Sequence, residues 1–192
     1  MNHAIFAAAA VLALGACSDT GLGVQPRTPS DGPGRMIIWP KRDSIFTTQV
    51  PASVLSAAPG WQVGTVFTTD DTVKVIAFRF YKAPGEIGLH TARLFTSSGT
   101  LLGSRSFTNE TPWGWQKTSL TAPFNISPGT YVVTVNTNAY QVKTGAYFLY
   151  NGPIVRHHLT ATGGSYGQPI HSFPSSGSSS AFFVDMIYDS PW

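Results

Sequence analysis

The chain has a single cysteine, few charged residues and no stretch of sustained helical periodicity, and each scarcity narrows what it can be. With Cys17 as the only thiol, no disulfide closes within the chain, so the fold must rest on core packing. Asp, Glu, Lys and Arg make up 11% of the 192 residues, against roughly a quarter in an ordinary soluble domain. The formal charge of +3 is scattered, with no block of like charges and no basic helix. That excludes the electrostatic stripe that nucleic-acid binding needs.

Catalytic signatures are also missing. There is no G-x-S-x-G nucleophile elbow and no H-E-x-x-H pair, and no cysteine after Cys17 is available to complete a zinc site. Nothing implies a cofactor, and the reading is a non-enzyme.

What is present is glycine (19), proline (14) and abundant serine and threonine, the composition of short strands joined by turns. A chain of 192 residues has room for one domain of ordinary size.

Ala4 to Ala16 is an apolar run the size of a signal-peptide h-region and too short to span a membrane comfortably. It ends in Leu14-Gly15-Ala16-Cys17, which resembles the bacterial lipobox, so Cys17 is expected to become the lipid-bearing N-terminus after cleavage. The n-region Met1-Asn2-His3 departs from the usual leader in having no Lys or Arg. Ser18 to Arg35 is rich in Ser, Asp, Gly, Thr and Pro and lacks the apolar surface to fold. The expected organisation is a signal peptide over 1–16, a lipidated cysteine and tether over 17–42, and a domain over 43–192. Ser18 after the cysteine, in place of Asp, favours the outer membrane by analogy.

Within the domain, Val73 to Lys82 alternates with period two, which places Ile76, Phe78 and Phe80 on one face and Val75, Arg79 and Tyr81 on the other. Thr130 to Thr137 follows the turn Ser127-Pro128-Gly129, and Phe182, Val184, Met186 and Tyr188 alternate near the C-terminus. These three strands are expected at the centre of the core. Further strands are expected at Val63–Thr68, His90–Thr96, Leu101–Phe107, Trp115–Leu120 and Ala146–Tyr150, with a loop over Ser172–Ser180. Many short strands at this spacing predict an all-β antiparallel sandwich or jelly roll.

Polar candidates are weak for catalysis. Glu110 and Asp185 are the carboxylate pair to consider for glycoside hydrolysis, and the alternative has Glu110 capping a loop and Asp185 pairing with Arg79 or Lys82. Asp70-Asp71 offers hard oxygen ligands for a structural calcium ion or simply a turn. His157-His158, read as strand, points to opposite faces.

Aromatic residues carry the stronger signal, because rings stack on the apolar faces of sugars while polar side chains bond the hydroxyls. Trp113, between Pro112 and Gly114, reads as an exposed contact on a turn or as a ring folded back over the sandwich edge. Trp115 reads as core, although Lys117 and Ser119 share its parity, so it must sit at a strand edge or beside a bulge. Tyr140, Tyr147, Tyr150 and Tyr166 are further candidates. The expected ligand-binding set is Trp113, Tyr140, Tyr147 and Tyr166, with Glu110, Arg79 and His90 as polar members.

The ordered motifs Arg79-Phe80-Tyr81-Lys82, Gly88-Leu89-His90, Ser98-Gly99-Thr100-Leu101-Leu102, Thr108-Asn109-Glu110-Thr111, Gly114-Trp115-Gln116 and Pro128-Gly129-Thr130-Tyr131 resemble one bacterial family of secreted β-sandwich domains with no assigned function. The resemblance spans Ser44 to Asp189. Members occur beside immunoglobulin-like repeats, carbohydrate-active domains and a formamidase-like module. Phe95 stands where relatives commonly have Trp, and Trp113 where a small residue is usual. The resemblance implies a sandwich and an extracellular setting. The leading expectation is a non-catalytic module binding a polysaccharide or other surface polymer, on a protein held to the membrane by its lipid. A structural or adhesive lipoprotein making protein contacts is the alternative, and a carbohydrate-active enzyme stands third.

Overall fold

The computed structural model describes residues 41–56 and 60–191. The leader, Cys17 and the tether to residue 40 lie outside the described residues. In chain order the strands are β1 (Lys41–Ser44), β2 (Ser53–Ser56), β3 (Trp61–Thr69), β4 (Val73–Lys82), β5 (Thr91–Thr96), β6 (Leu101–Ser106), β7 (Gly114–Ile126), β8 (Gly129–Thr137), β9 (Tyr140–Lys143), β10 (Ile154–Arg156), β11 (Leu159–Gly167), β12 (Ser176–Ser178) and β13 (Val184–Ser190), with a one-turn helix α1 (Tyr147–Asn151) after β9.

The strands form two layers. One is a four-stranded sheet of order β1-β13-β4-β7, and the other runs β10-β11-β3-β8-β5-β6 with β12 added to β11; β2 and β9 pair as a small third sheet. All ladders are antiparallel. This is the expected all-β sandwich. Between the layers lie Val63, Phe67, Leu94, Val133 and Val135 from the larger sheet and Val75, Phe78, Phe80, Met186 and Tyr188 from the smaller, all buried. The Thr65 hydroxyl bridges the layers by donating to the Val184 carbonyl at 2.7 Å.

Several local expectations are corrected. In β4 the register shifts between Val75 and Ala77 against both neighbours, so a bulge at Ile76 reverses the parity. Val75 is therefore fully buried and Ile76 only partly, while Phe78 and Phe80 face the core as expected. Ala146–Tyr150 is not a strand. Ala146 takes φ 50° and its carbonyl accepts from the amides of Leu149 and Tyr150, which starts α1; a short apolar run does not by itself separate helix from strand. Ser172–Ser180 is not wholly loop, since β12 pairs there with β11. His157 and His158 occupy the β10–β11 turn, with His157 at φ 40° and ring centroids 6.5 Å apart, so the strand rule of opposite faces does not govern them. Pairing also begins at Lys41, ahead of Asp43, because Lys41 and Arg42 lie opposite Ser190 and Asp189.

Candidate functional site

Strand alternation builds a groove at one end of the larger sheet. Trp61 opens β3 and shares the inward parity of Val63 and Phe67. Tyr166 in β11 lies opposite Val63 in the ladder, so it stands on that same face. Their rings approach to 5.9 Å between centroids, and Phe182 lies 6.3 Å from Tyr166. Phe182 fits there because β11 carries glycine beneath it. A Cβ on Gly164 would sit 2.8 Å from the Phe182 ring and 2.2 Å from the Ser180 carbonyl oxygen.

The polar wall comes from β9 and the approach to β13. Val142 points into the core, so its neighbours Gln141 and Lys143 share the opposite face and line the groove beside Ser178 and Ser180. The groove's volume is about 260 Å³, near the lower bound of small-molecule sites. Trp61 is half-buried and Tyr166 is 36% exposed, so both rings are held by packing yet open to solvent.

A second cluster is polar and closed. His90 is fully buried, its Nδ1 2.9 Å from the Glu110 carboxylate and its Nε2 2.9 Å from Glu86 Oε1, while Lys82 Nζ contacts Glu110 at 2.9 Å. Carboxylate oxygens only accept, so this geometry suits an imidazolium donating from both nitrogens. Two carboxylates, an imidazolium and an ammonium then sum to zero charge. Burial pushes the Glu86 carboxyl up, but hydrogen bonds from His90 and from the amides of Asn138, Tyr140 and Ala139 outweigh it and hold the group below its ordinary value. The adjoining cavity is about 10 Å³, room for about one water. The cluster braces the loop before β5 to the β8–β9 turn.

The third assembly covers the outer face of the smaller sheet. Asp185 in β13 is paired across the ladder with Arg79 in β4, with Nη2 to Oδ2 at 2.7 Å. The same carboxylate accepts from the amides of Ile45 and Phe46 at 2.9 and 3.0 Å, which latches the chain after β1 over the sheet. Arg79 also lies 4.3 Å above the Trp115 ring. Trp115 is half-buried against Phe46, Tyr81 and Phe183. Total burial pushes the Asp185 carboxyl up to about 6, despite the opposing pull of Arg79 and the two amides.

The expected site residues therefore fall in different places. Tyr166 lines the groove. His90 has no exposed surface to offer a ligand, a correction that follows from its engagement by carboxylates on both sides. Glu110 belongs to the same brace, and Arg79 to the Asp185 latch. Glu110 and Asp185 thus serve separate clusters, with Asp185 on Arg79 as the structural alternative had it. Tyr140 borders the small cavity beside Glu86, and Tyr147 packs on Phe148 and Phe183. Tyr150 is exposed on α1. Trp113 is 60% exposed on a turn that Gly114 permits with φ 92°, and it does not line the groove. Trp115 packs on the outer face, with the parity of Lys117 and Ser119, under a cover that Phe46 and Phe183 provide. At the β3–β4 turn Asp70 Oδ1 meets His158 Nδ1 at 2.7 Å and Asp71 Oδ1 accepts from the Thr72 amide at 2.6 Å. Among the described residues no group of three or more His, Cys, Asp or Glu is placed to hold a metal ion.

A family model described as "Domain of unknown function (DUF4082)" matches residues 48–184. The chain belongs to this family. The matched span of the DUF4082 domain contains every residue that lines the groove, together with Lys82, Glu86, His90 and Glu110. It ends at Val184, so β1 and the remainder of β13, including Asp185, fall outside it. No curated protein was found to match the chain.

Trp61, Gln141, Lys143, Ser178 and Ser180 were not singled out from sequence, and Phe182 was read as a core-strand residue and not as part of a site. A usable signal exists for Trp61: it carries the inward parity of β3 but sits at the strand's first position after Gly60, where an inward ring reaches past the packed core.

Proposed function

We propose that this DUF4082 domain binds a polysaccharide in the groove of Trp61, Tyr166 and Phe182, on a lipoprotein anchored in the cell envelope through Cys17. The observation that carries the reading is a pair of half-exposed aromatic rings fixed side by side next to amide, ammonium and hydroxyl groups. Rings of this kind stack on the apolar faces of pyranosides and lose little conformational entropy on binding. The polar wall supplies donors and acceptors for hydroxyls. A glycan-array screen of the full-length protein, purified in a non-glycosidic detergent, tests the reading. Binding to one glycan class, lost with Trp61→Ala, supports it, and an array without signal for the wild type rejects it. The anchor is tested separately: Cys17→Ser should abolish incorporation of labelled palmitate, and equal labelling of both forms rejects lipidation at this residue.

One observation favours the adhesive alternative. β6 ends the larger sheet and exposes Leu101 and Leu102 at 50% and 39%, and an apolar edge strand is a surface for strand addition. Sedimentation showing self-association that Leu101→Lys abolishes supports that reading, and a monomer at high concentration argues against pairing of identical copies.

A further inference from the structure

We infer that the groove selects an acidic polysaccharide, one whose sugars carry carboxylate or sulfate groups, an assignment that rests on the carbohydrate reading above. Among the described residues, Lys143 is the only ionisable one lining the groove besides Tyr166, and no Asp or Glu lines it. Among the described residues, no Asp or Glu lies within ion-pair distance of Lys143. Gln141 holds the same face of β9 two residues away, so both side chains line the groove that the rings open.

The rest of the domain explains why the positive charge stays uncompensated. Asp185 is taken by Arg79, Glu110 by Lys82 and His90, Glu86 by His90 and three backbone amides, and Asp189 by Arg42. Asp70 is paired with His158. Five of the seven acidic groups among the described residues are thus in pairs, Asp43 and Asp71 each accept from the amide of the next residue, and the chain as a whole carries a formal +3.

A neutral sugar laid on Trp61 and Tyr166 would remove water from the Lys143 ammonium and return only a hydroxyl oxygen. An anionic substituent returns a charge-assisted bond of roughly twice the strength. A site for neutral hydroxyls is also better served by carboxylate acceptors, and the wall here has only a carboxamide and serine hydroxyls. Ring stacking then gives affinity for a pyranoside, and Lys143 gives preference for its charged form.

Matched pairs of probes decide it. Oligouronates and sulfated oligosaccharides are titrated calorimetrically into the full-length protein against the same chains methyl-esterified or desulfated. The expected result is at least tenfold tighter binding of the charged member. Lys143→Gln should erase that preference by bringing the charged member's affinity down to that of the neutral member, and Trp61→Ala should weaken both. If the neutral member binds equally or better and Trp61→Ala still weakens it, the acidic assignment is overturned while the carbohydrate reading stands. If no member of any pair binds, both are overturned. A preference that survives Lys143→Gln also overturns the assignment, because the charge would then be read elsewhere.

Discussion

Asp185 and Arg79 face one another across the β13–β4 ladder, 2.7 Å apart, with the carboxylate wholly buried and bonded to two amides of the segment that follows β1. The pair is a clasp. It holds Ile45 and Phe46 over the sheet and fixes Arg79 above Trp115. Its cost is the desolvation that pushes Asp185 up to about 6 from an ordinary 3.8.

The pH dependence follows from that shift. Between about pH 4 and 6 the folded state binds more protons at Asp185 than the unfolded state, so this residue's contribution to stability falls as pH rises through the interval and is level above it. The change amounts to about 3 kcal/mol. Asp185→Asn should remove this slope from the pH profile of urea unfolding. It should also lower stability at pH 7, because the carboxamide offers one acceptor to two amides and leaves Arg79 without a counter-charge. An unaltered slope in the variant contradicts the assignment.

Glu86 has the opposite sign. Its carboxyl is held below the ordinary 4.5, so its stabilisation is present above that value and is lost as pH falls through the lower folded value. Glu86→Gln should flatten the acid limb of the profile below about pH 4.5. If the variant keeps the wild-type acid limb, the His90 brace does not supply it.

The bulge at Ile76 predicts unequal effects within one strand. Phe78→Ala should cost about 3 to 5 kcal/mol, the range for an aromatic ring removed from a core, whereas Ile76→Ala on the half-buried bulge should cost about 1 to 2 kcal/mol. Equal losses in denaturant midpoint would place the bulge elsewhere.

The two tryptophans that flank Gly114 should separate in the same way. Trp113→Ala should leave stability within about 1 kcal/mol, since the ring is largely in solvent, and Trp115→Ala should lose about 3 to 5 kcal/mol through its contacts with Phe46, Tyr81 and Phe183. The reverse order would mean that the exposed and packed rings have been exchanged.

How far the sequence could be read depended on where alternation survives. β3, β4, β5, β8 and β13 carry enough β-branched and aromatic residues to read as strands, but burial alternates cleanly only along parts of them: Tyr131 to Thr137 of β8 are buried on both faces, Asp185 breaks the alternation of β13, and Ile76 shifts that of β4. β11 was hidden. Its sequence L-T-A-T-G-G-S-Y-G is dominated by small residues, and the register shifts between Ala161 and Gly163, so no alternation is visible. Yet those small residues are what allow Phe182 to lie on the strand at Gly164. β2 and β9 have four residues each and pair only with one another, too short for periodicity to declare itself. The groove draws on β3, β9, β11, β12 and the approach to β13, and no local window of sequence holds more than a fragment of it. His90 and Glu110 were legible as polar residues of interest, but their burial depends on Phe80 and Phe107 packing around them, which is tertiary.

Calorimetric titration of the preferred glycan into the wild type, Trp61→Ala and Tyr166→Ala forms tests the groove most directly. The prediction is that each substitution weakens binding at least tenfold, about 1.4 kcal/mol, while each variant still unfolds in one cooperative transition. Wild-type affinity in both variants would contradict the groove as the binding site.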